Sequence, residues 1–200
     1  INTVAGIFRP CITSTLPAID GSKTILLDVG SNADCKADVL YQFAVLGALY
    51  SQIVYGIENP RIALLNIGEE ESKGNLLTQA AYKLFAESDE FNFIGNVEGR
   101  DLFSGKAEVI VCDGFTGNII LKTAEAMYEA AAHQGLANDA FFGRFHFENY
   151  GGTPVLGVNK PVIIGHGISN AKAFSNMIAL AEKMIETKFC EIITTNFENL

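Results

Sequence analysis

The chain has no run of 18 apolar residues and no basic segment leading into an apolar one. It therefore offers neither a spanning helix nor a secretory signal, and it reads as cytoplasmic. Its four cysteines, Cys11, Cys35, Cys112 and Cys190, are far apart and show no C-x-x-C pair or metal-ligand spacing, so they read as buried or incidental thiols, with no metal expected. Cations are few and scattered: 14 Lys and Arg against 23 Asp and Glu leave a net charge of −9. Nucleic acid is accordingly not expected as a partner. No G-x-G-x-x-G follows a strand-like run, no Lys-Ser/Thr ends a glycine-rich loop, and there is no G-x-S-x-G elbow. Nicotinamide chemistry, P-loop hydrolysis and a serine nucleophile all lose their usual support, and no cofactor is expected.

What the sequence does have is five apolar runs that break off into loops of glycine, asparagine and charge: Lys23–Gly30, Arg61–Gly68, Phe91–Val97, Ala107–Gly114 and Lys160–Gly167. Such runs suit strands covered on both faces, and four of the loops lead into helical patterns. Strands alternating with helices predict a three-layer α/β architecture, a mainly parallel sheet with helices on both faces and all five loops at one edge. Hydrophobic content of 48% over 200 residues is enough for a well-buried core. Asp34 or Asp38 would cap a helix Val39–Tyr55 that has almost no polar face. That helix reads either as a central core helix or, slightly favoured, as a subunit interface that Gly47 lets another helix approach. Leu76–Ala86 and Ile119–Ala132 are further helices. Ser169 or Asn170 would cap another, with Phe174, Met177, Ile178, Ala181, Met184 and Ile185 in one stripe. Gly135–Tyr150, rich in phenylalanine, is the least regular stretch and reads as a lid or contact loop. The opening segment Ile1–Asp20 is too short and irregular for a complete α/β start, so the chain reads as processed or truncated.

Loops of this kind at the carboxyl edge of a sheet present N–H groups to an anion, which makes phosphate chemistry the first functional reading. With no nucleophile in evidence, the residues suit an anion that is itself the nucleophile: Lys73 as a point charge, Asn32 and Asn118 as amide donors, and N–H groups around Gly74, Gly114 and Gly117. Each has a plainer reading. Lys73 reads equally as an i,i+4 partner of Glu69, Asn118 as a helix-start residue, and Asp28 and Asp113 as strand-end turn-makers. Arg100 reads as an ion-pair partner of Asp101 before an anion clamp, and His166 as a histidine satisfied in a tight turn before a ligand donor. The triplet Glu69-Glu70-Glu71 would repel phosphate unless its side chains turn away.

Taken together, L-L-D-V-G-S-N-A-D-C-K (Leu26–Lys36), N-P-R-I-A-L-L-N-I-G-E-E-E-S-K-G-N (Asn59–Asn75), F-I-G-N-V-E-G-R-D (Phe93–Asp101), V-C-D-G-F-T-G-N-I-I-L-K (Val111–Lys122) and Y-G-G-T-P-V-L-G-V (Tyr150–Val158) resemble the bacterial phosphate acyltransferase family of phospholipid synthesis (PlsX). The resemblance runs from Ile1 to about Ile185. It implies transfer of a fatty acyl group from acyl-acyl carrier protein to inorganic phosphate, and a fold similar to isopropylmalate dehydrogenases and phosphate acetyltransferases. It also implies a homodimer, peripheral contact with the inner face of the membrane, and a glycerol-phosphate acyltransferase downstream. Lys73 and Asn118 become the catalytic candidates. Asp28, Asn32, Asn75, Arg100, Asp113, Gly114, Gly117 and His166 become the substrate-binding ones. The chain then corresponds to the C-terminal portion of the family's domain, with about a hundred residues, including a G-N-T-G-A loop, expected before it. Alternatives are a coenzyme A thioester as acyl donor, or a silent fragment that binds carrier protein. Arg144, Lys122 and Lys160 are expected to form the basic patch for an acidic carrier, and Phe141, Phe142, Phe145 and Phe147 to stand in for a membrane-contacting insertion.

Overall fold

The computed structural model describes residues 1–146, 152–167 and 169–198, which leaves Phe147, Tyr150 and Gly151 outside the described residues. Seven strands form one sheet in the order β4-β3-β5-β2-β1-β6-β7. The first four apolar runs supply β2 (Lys23–Leu27), β3 (Arg61–Leu65), β4 (Asn92–Val97) and β5 (Val109–Val111), which pair in parallel. The other half is antiparallel: β1 (Cys11–Pro17) pairs with β2, β6 (Thr153–Leu156) with β1, and β7 (Val162–Ile164) with β6. Three successive reversals point β7 opposite to β2. The loop Gly165-His166-Gly167 therefore does not share an edge with the four loops that follow β2 to β5.

Helices cover both faces. On one lie α1 (Ala37–Tyr55), α2 (Leu76–Ala86), α4 (Ala171–Glu186) and α5 (Phe189–Glu198), joined to the sheet by the larger apolar cluster; on the other lies α3 (Gly114–His133), over Leu26, Ala63, Ile110 and Cys112. The opening segment, expected to be irregular, holds the central strand β1. Its polar residues hide the strand period because they are satisfied inside: Thr13 is buried and its hydroxyl donates to Leu26 O at 3.3 Å.

α1 is a core helix, covered by its own chain. Among the described residues it is the one helix long and apolar enough to cross a membrane, yet Val39, Leu40, Phe43, Leu46, Tyr50 and Val54 are buried against the sheet and its neighbours α2 and α5. Gly47 does allow a close approach, but to the sheet: a Cβ there would lie 2.6 Å from Val109 Cγ1 and 3.1 Å from Leu27 Cδ2. A charge placed at Leu46 would therefore report on folding, not on association. Neither Asp34 nor Asp38 is the N-cap; Lys36 is, without a side-chain bond, while Asp38 lies in the first turn. In α4, capped by Asn170 as expected, the apolar stripe divides: Met177 and Met184 are buried, whereas Phe174, Ile178 and Ile185 face outward.

The phenylalanine-rich stretch is tied down. A 3-10 turn, Phe142–Phe145, brings Phe141 and Phe145 onto Phe103, with ring centroids 6.5 and 5.3 Å away. The Arg144 guanidinium donates to three carbonyls of the β1–β2 turn: Ala18 (2.7 Å), Gly21 (3.0 Å) and Ser22 (2.6 Å). Lys122, on α3, pairs with Glu125 at 2.8 Å, while the charge of Lys160 reaches the Cys190 thiol of α5 on the opposite face. The three cations do not form one patch.

Candidate functional site

The carboxyl ends of β3 and β5 open into a cavity of about 350 Å³ lined by Asn66, Ile67, Gly74, Asn75, Thr78, Gly99, Cys112, Asp113 and Thr116. Two helices begin at its wall in the same way. Asn75 caps α2 by accepting from Thr78 N at 2.9 Å, and Asp113 caps α3 by accepting from Thr116 N at 2.9 Å and Thr116 Oγ1 at 2.8 Å. Each helix thus turns its positive end toward the cavity, where an anion is stabilised. Asn75 and Asp113 are consequently first of all cap residues, with their oxygens already engaged.

Lys73 directly precedes Gly74 of the cavity wall, and its stem lies beside Gly68. Asn66 Nδ2 donates to its carbonyl at 3.1 Å, and its N–H closes a turn onto Glu70 O at 3.1 Å. The next residue, Gly74, has φ +91°, and a Cβ there would overlap Thr78 Oγ1 and Asn66 Oδ1, so only glycine fits. The anticipated Lys73–Glu69 pair is not formed: Glu69 is held by Lys106 at 2.7 Å. Among the described residues no carboxylate lies within ion-pair distance of the Lys73 ammonium. Arg100 does make an ion pair, but with Glu98 (2.9 Å); Asp101 accepts instead from Glu98 N at 2.9 Å.

The loop after β2 is organised around Asp28, which is fully buried. Its carboxylate accepts from Ile12 N (3.0 Å), Gly30 N (3.3 Å), Ser31 N (3.2 Å), Asn32 N (2.6 Å), the Ser31 hydroxyl (2.8 Å) and Asn32 Nδ2 (2.9 Å). With no exposed surface, Asp28 positions the loop and does not meet a ligand in this structure. Asn32 is likewise turned inward, its amide donating also to Pro10 O at 2.8 Å. Nor are Gly114 and Gly117 exposed donors. Both are buried; Gly114 N donates to Asn32 O at 2.7 Å and Gly117 N to Asp113 O at 3.0 Å. Their role is close approach. A Cβ on Gly114 would lie 2.7 Å from Asn32 O and from Asp28 Oδ2, and one on Gly117 would overlap the Asp28 carbonyl.

Asn118, one turn further along α3, donates to Val29 O at 3.1 Å and lines a second cavity of about 310 Å³. Its walls are mostly apolar, with Ile12, Leu16, Val29, Leu121, Phe145 and Met177 prominent, and His166 also reaches it. The structure therefore divides the candidates. Asn75 and Asp113 belong to the first cavity, with Lys73 next in sequence to its wall, and Asn118 and His166 to the second, the first turn of α3 standing between them. Sequence reasoning passed over Asn66, Thr78, Thr116 and Lys106. Signals were available for three of them: Asn66 is a polar residue closing the apolar run Arg61–Leu65, and Thr78 and Thr116 each stand three residues after a helix cap, Asn75 and Asp113; Lys106 alone depends on a partner distant in sequence.

Burial shifts all four thiols toward their neutral form. Burial pushes Cys11 and Cys112 well up, with the charge of Asp28 adding to both and that of Asp113 adding at Cys112; burial also lifts Cys35 to about 11.

Residues 1–192 match the family described as "Fatty acid synthesis protein". The chain belongs to that family. Curated relatives within reach include the phosphate acyltransferases of Syntrophomonas wolfei, 47% identical over 197 residues and covering 96% of this chain, and of Helicobacter hepaticus, 41% identical over 218 residues and covering all of it. The fatty acid synthesis family is thus the phosphate acyltransferase family that the loops resemble. The chain spans 61% of the length of the first relative and 65% of the second. Its fold is that of a phosphotransacetylase from Streptococcus pyogenes (TM-score 0.60, 23% identity, 93% of this chain and 57% of that one). A branched-chain phosphotransacylase from Enterococcus faecalis agrees (TM-score 0.61, 14% identity, 88% of this chain and 65% of that one).

Proposed function

We propose that this chain supplies the phosphate-holding part of an enzyme that moves a fatty acyl group from acyl carrier protein to inorganic phosphate, giving acyl phosphate for phospholipid synthesis. The observation that carries the reading is the cavity at the carboxyl ends of β3 and β5: two helix N-termini open onto it, and its wall residue Gly74 follows Lys73, whose ammonium has no carboxylate within ion-pair distance among the described residues. A phosphate dianion fits that arrangement: its charge is met by Lys73 and by the positive ends of α2 and α3, which bind and orient it. Phosphate oxygen then attacks the thioester carbonyl, a C–O bond forms, the C–S bond breaks, and the carrier thiolate leaves to take up a proton. Orientation and charge stabilisation are all the protein needs to add. The second cavity, whose apolar walls of Ile12, Leu16, Val29, Leu121, Phe145 and Met177 are joined by Asn118, Lys122 and Glu125, suits the acyl chain along its apolar side. Acyl carrier protein as partner and a homodimer as the assembly belong to the same proposal.

The test uses the whole protein. Lys73→Ala is expected to lower kcat/KM for acyl phosphate formation by about 100- to 1,000-fold, in line with the loss of one preorganised donor to an anion. Its melting temperature should stay within about 2 °C of the parent, as for an exposed substitution. Product trapping with hydroxylamine and a thermal melt check both. An active variant, or one inactive because unfolded, overturns the assignment, and preference for a coenzyme A thioester in direct competition overturns the choice of donor.

A further inference from the structure

Three glutamates in a row beside an anion site are an obstacle that the structure partly removes. Glu69, four residues before Lys73, points to Lys106, whose Nζ is 2.7 Å from Glu69 Oε1 and 3.8 Å from Asp101 Oδ2. Lys106 thus gathers two carboxylates from different loops, one following β3 and one following β4. Glu98, the other acid of the β4 loop, is taken by Arg100 at 2.9 Å. Glu70 remains near Gly68, against which the Lys73 stem also packs, but is not within ion-pair distance of the ammonium.

We propose that Lys106 is a positioning residue for phosphate: by holding Glu69 it keeps that carboxylate from pairing with Lys73, which stays available to the substrate anion. The inference rests on the proposed role of Lys73. Lys106 makes no contact with phosphate in this account; it acts by removing a competitor. Both partners are partly exposed, at 38% and 54% of their side-chain surface, so the competition has the modest size of surface ion pairs and weakens with salt.

In the whole protein, Lys106→Gln should raise KM for phosphate about two- to five-fold at low ionic strength and leave kcat at saturating phosphate unchanged. Adding Glu69→Gln to that variant should restore the parental KM, whereas adding Glu70→Gln should not. A loop that had merely loosened would lower kcat or the melting temperature and would not be rescued at Glu69. An unchanged phosphate KM in Lys106→Gln overturns the inference, as does a raised KM that Glu69→Gln fails to restore. Lys73→Ala run alongside separates the two ideas: if it is inactive while Lys106→Gln is parental, only the inference fails, and if Lys73→Ala is active, the reading beneath it fails.

Discussion

Gly117→Ala is expected to leave the protein unfolded or melting far below the parent. The added methyl would overlap the Asp28 carbonyl, with Cys112 Sγ 3.0 Å away on another side. The obstructing atom is backbone at the end of a central strand, and Gly117 lies in the first turns of a 20-residue helix, so neither can yield by a rotamer change. Separating them would pull α3 from the sheet and break the Gly114–Asn32 bond. Overpacking of this kind exceeds the usual 1–3 kcal/mol, and we expect about 4 kcal/mol or more. Gly99→Ala is the control: nothing lies within 4 Å of a Cβ there, and its effect should stay within about 0.5 kcal/mol. A Gly117→Ala protein that melts like the Gly99 variant would show that α3 does not approach β2 so closely.

Asp28→Ala should be nearly as severe. It strips the acceptor from four backbone N–H groups and two side-chain donors in a buried loop. Orphaned buried donors cost about 1–3 kcal/mol each, less whatever water re-enters, so a net loss of about 4 kcal/mol is expected. For a chain of this length that lowers Tm by roughly 8–16 °C. Asp28→Asn keeps one acceptor oxygen and should lose about half as much. Calorimetric scans of the two variants decide the matter: equal, small shifts would mean that Asp28 does not organise the loop.

These two residues also show where the sequence was readable. The strands β2, β3 and β5 stood out because both their faces are covered, which turns alternation into continuous apolar runs, and the half-buried edge strands β4 and β7 stood out by composition alone. β1 escaped because Thr13, Ser14 and Thr15 disguise a central strand, and β6 because it is four residues long and contains Pro154. The all-round apolar character of α1 showed that something covers it, but periodicity carries no information on whether that cover is the same chain. At the site, the loops and the helix starts were legible. The inward turn of Asp28 and Asn32 was not, since their partners Pro10 and Ile12 come from a strand that itself went unrecognised. The release of Lys73 was hidden for a similar reason, because it depends on Lys106, 37 positions from Glu69.

The placement of β1 has a consequence for synthesis. Ile12 pairs with Val155, 143 positions later, while the opposite edge of the same strand finds Leu27 and Leu26 almost at once. At about 5–20 residues per second, roughly 7–30 s pass before the second partner is made. Through that interval β1 is the edge of a growing sheet and not its centre, with one row of backbone groups open to neighbours. The strand that is hardest to read in the sequence is thus also the one that waits longest for its second neighbour.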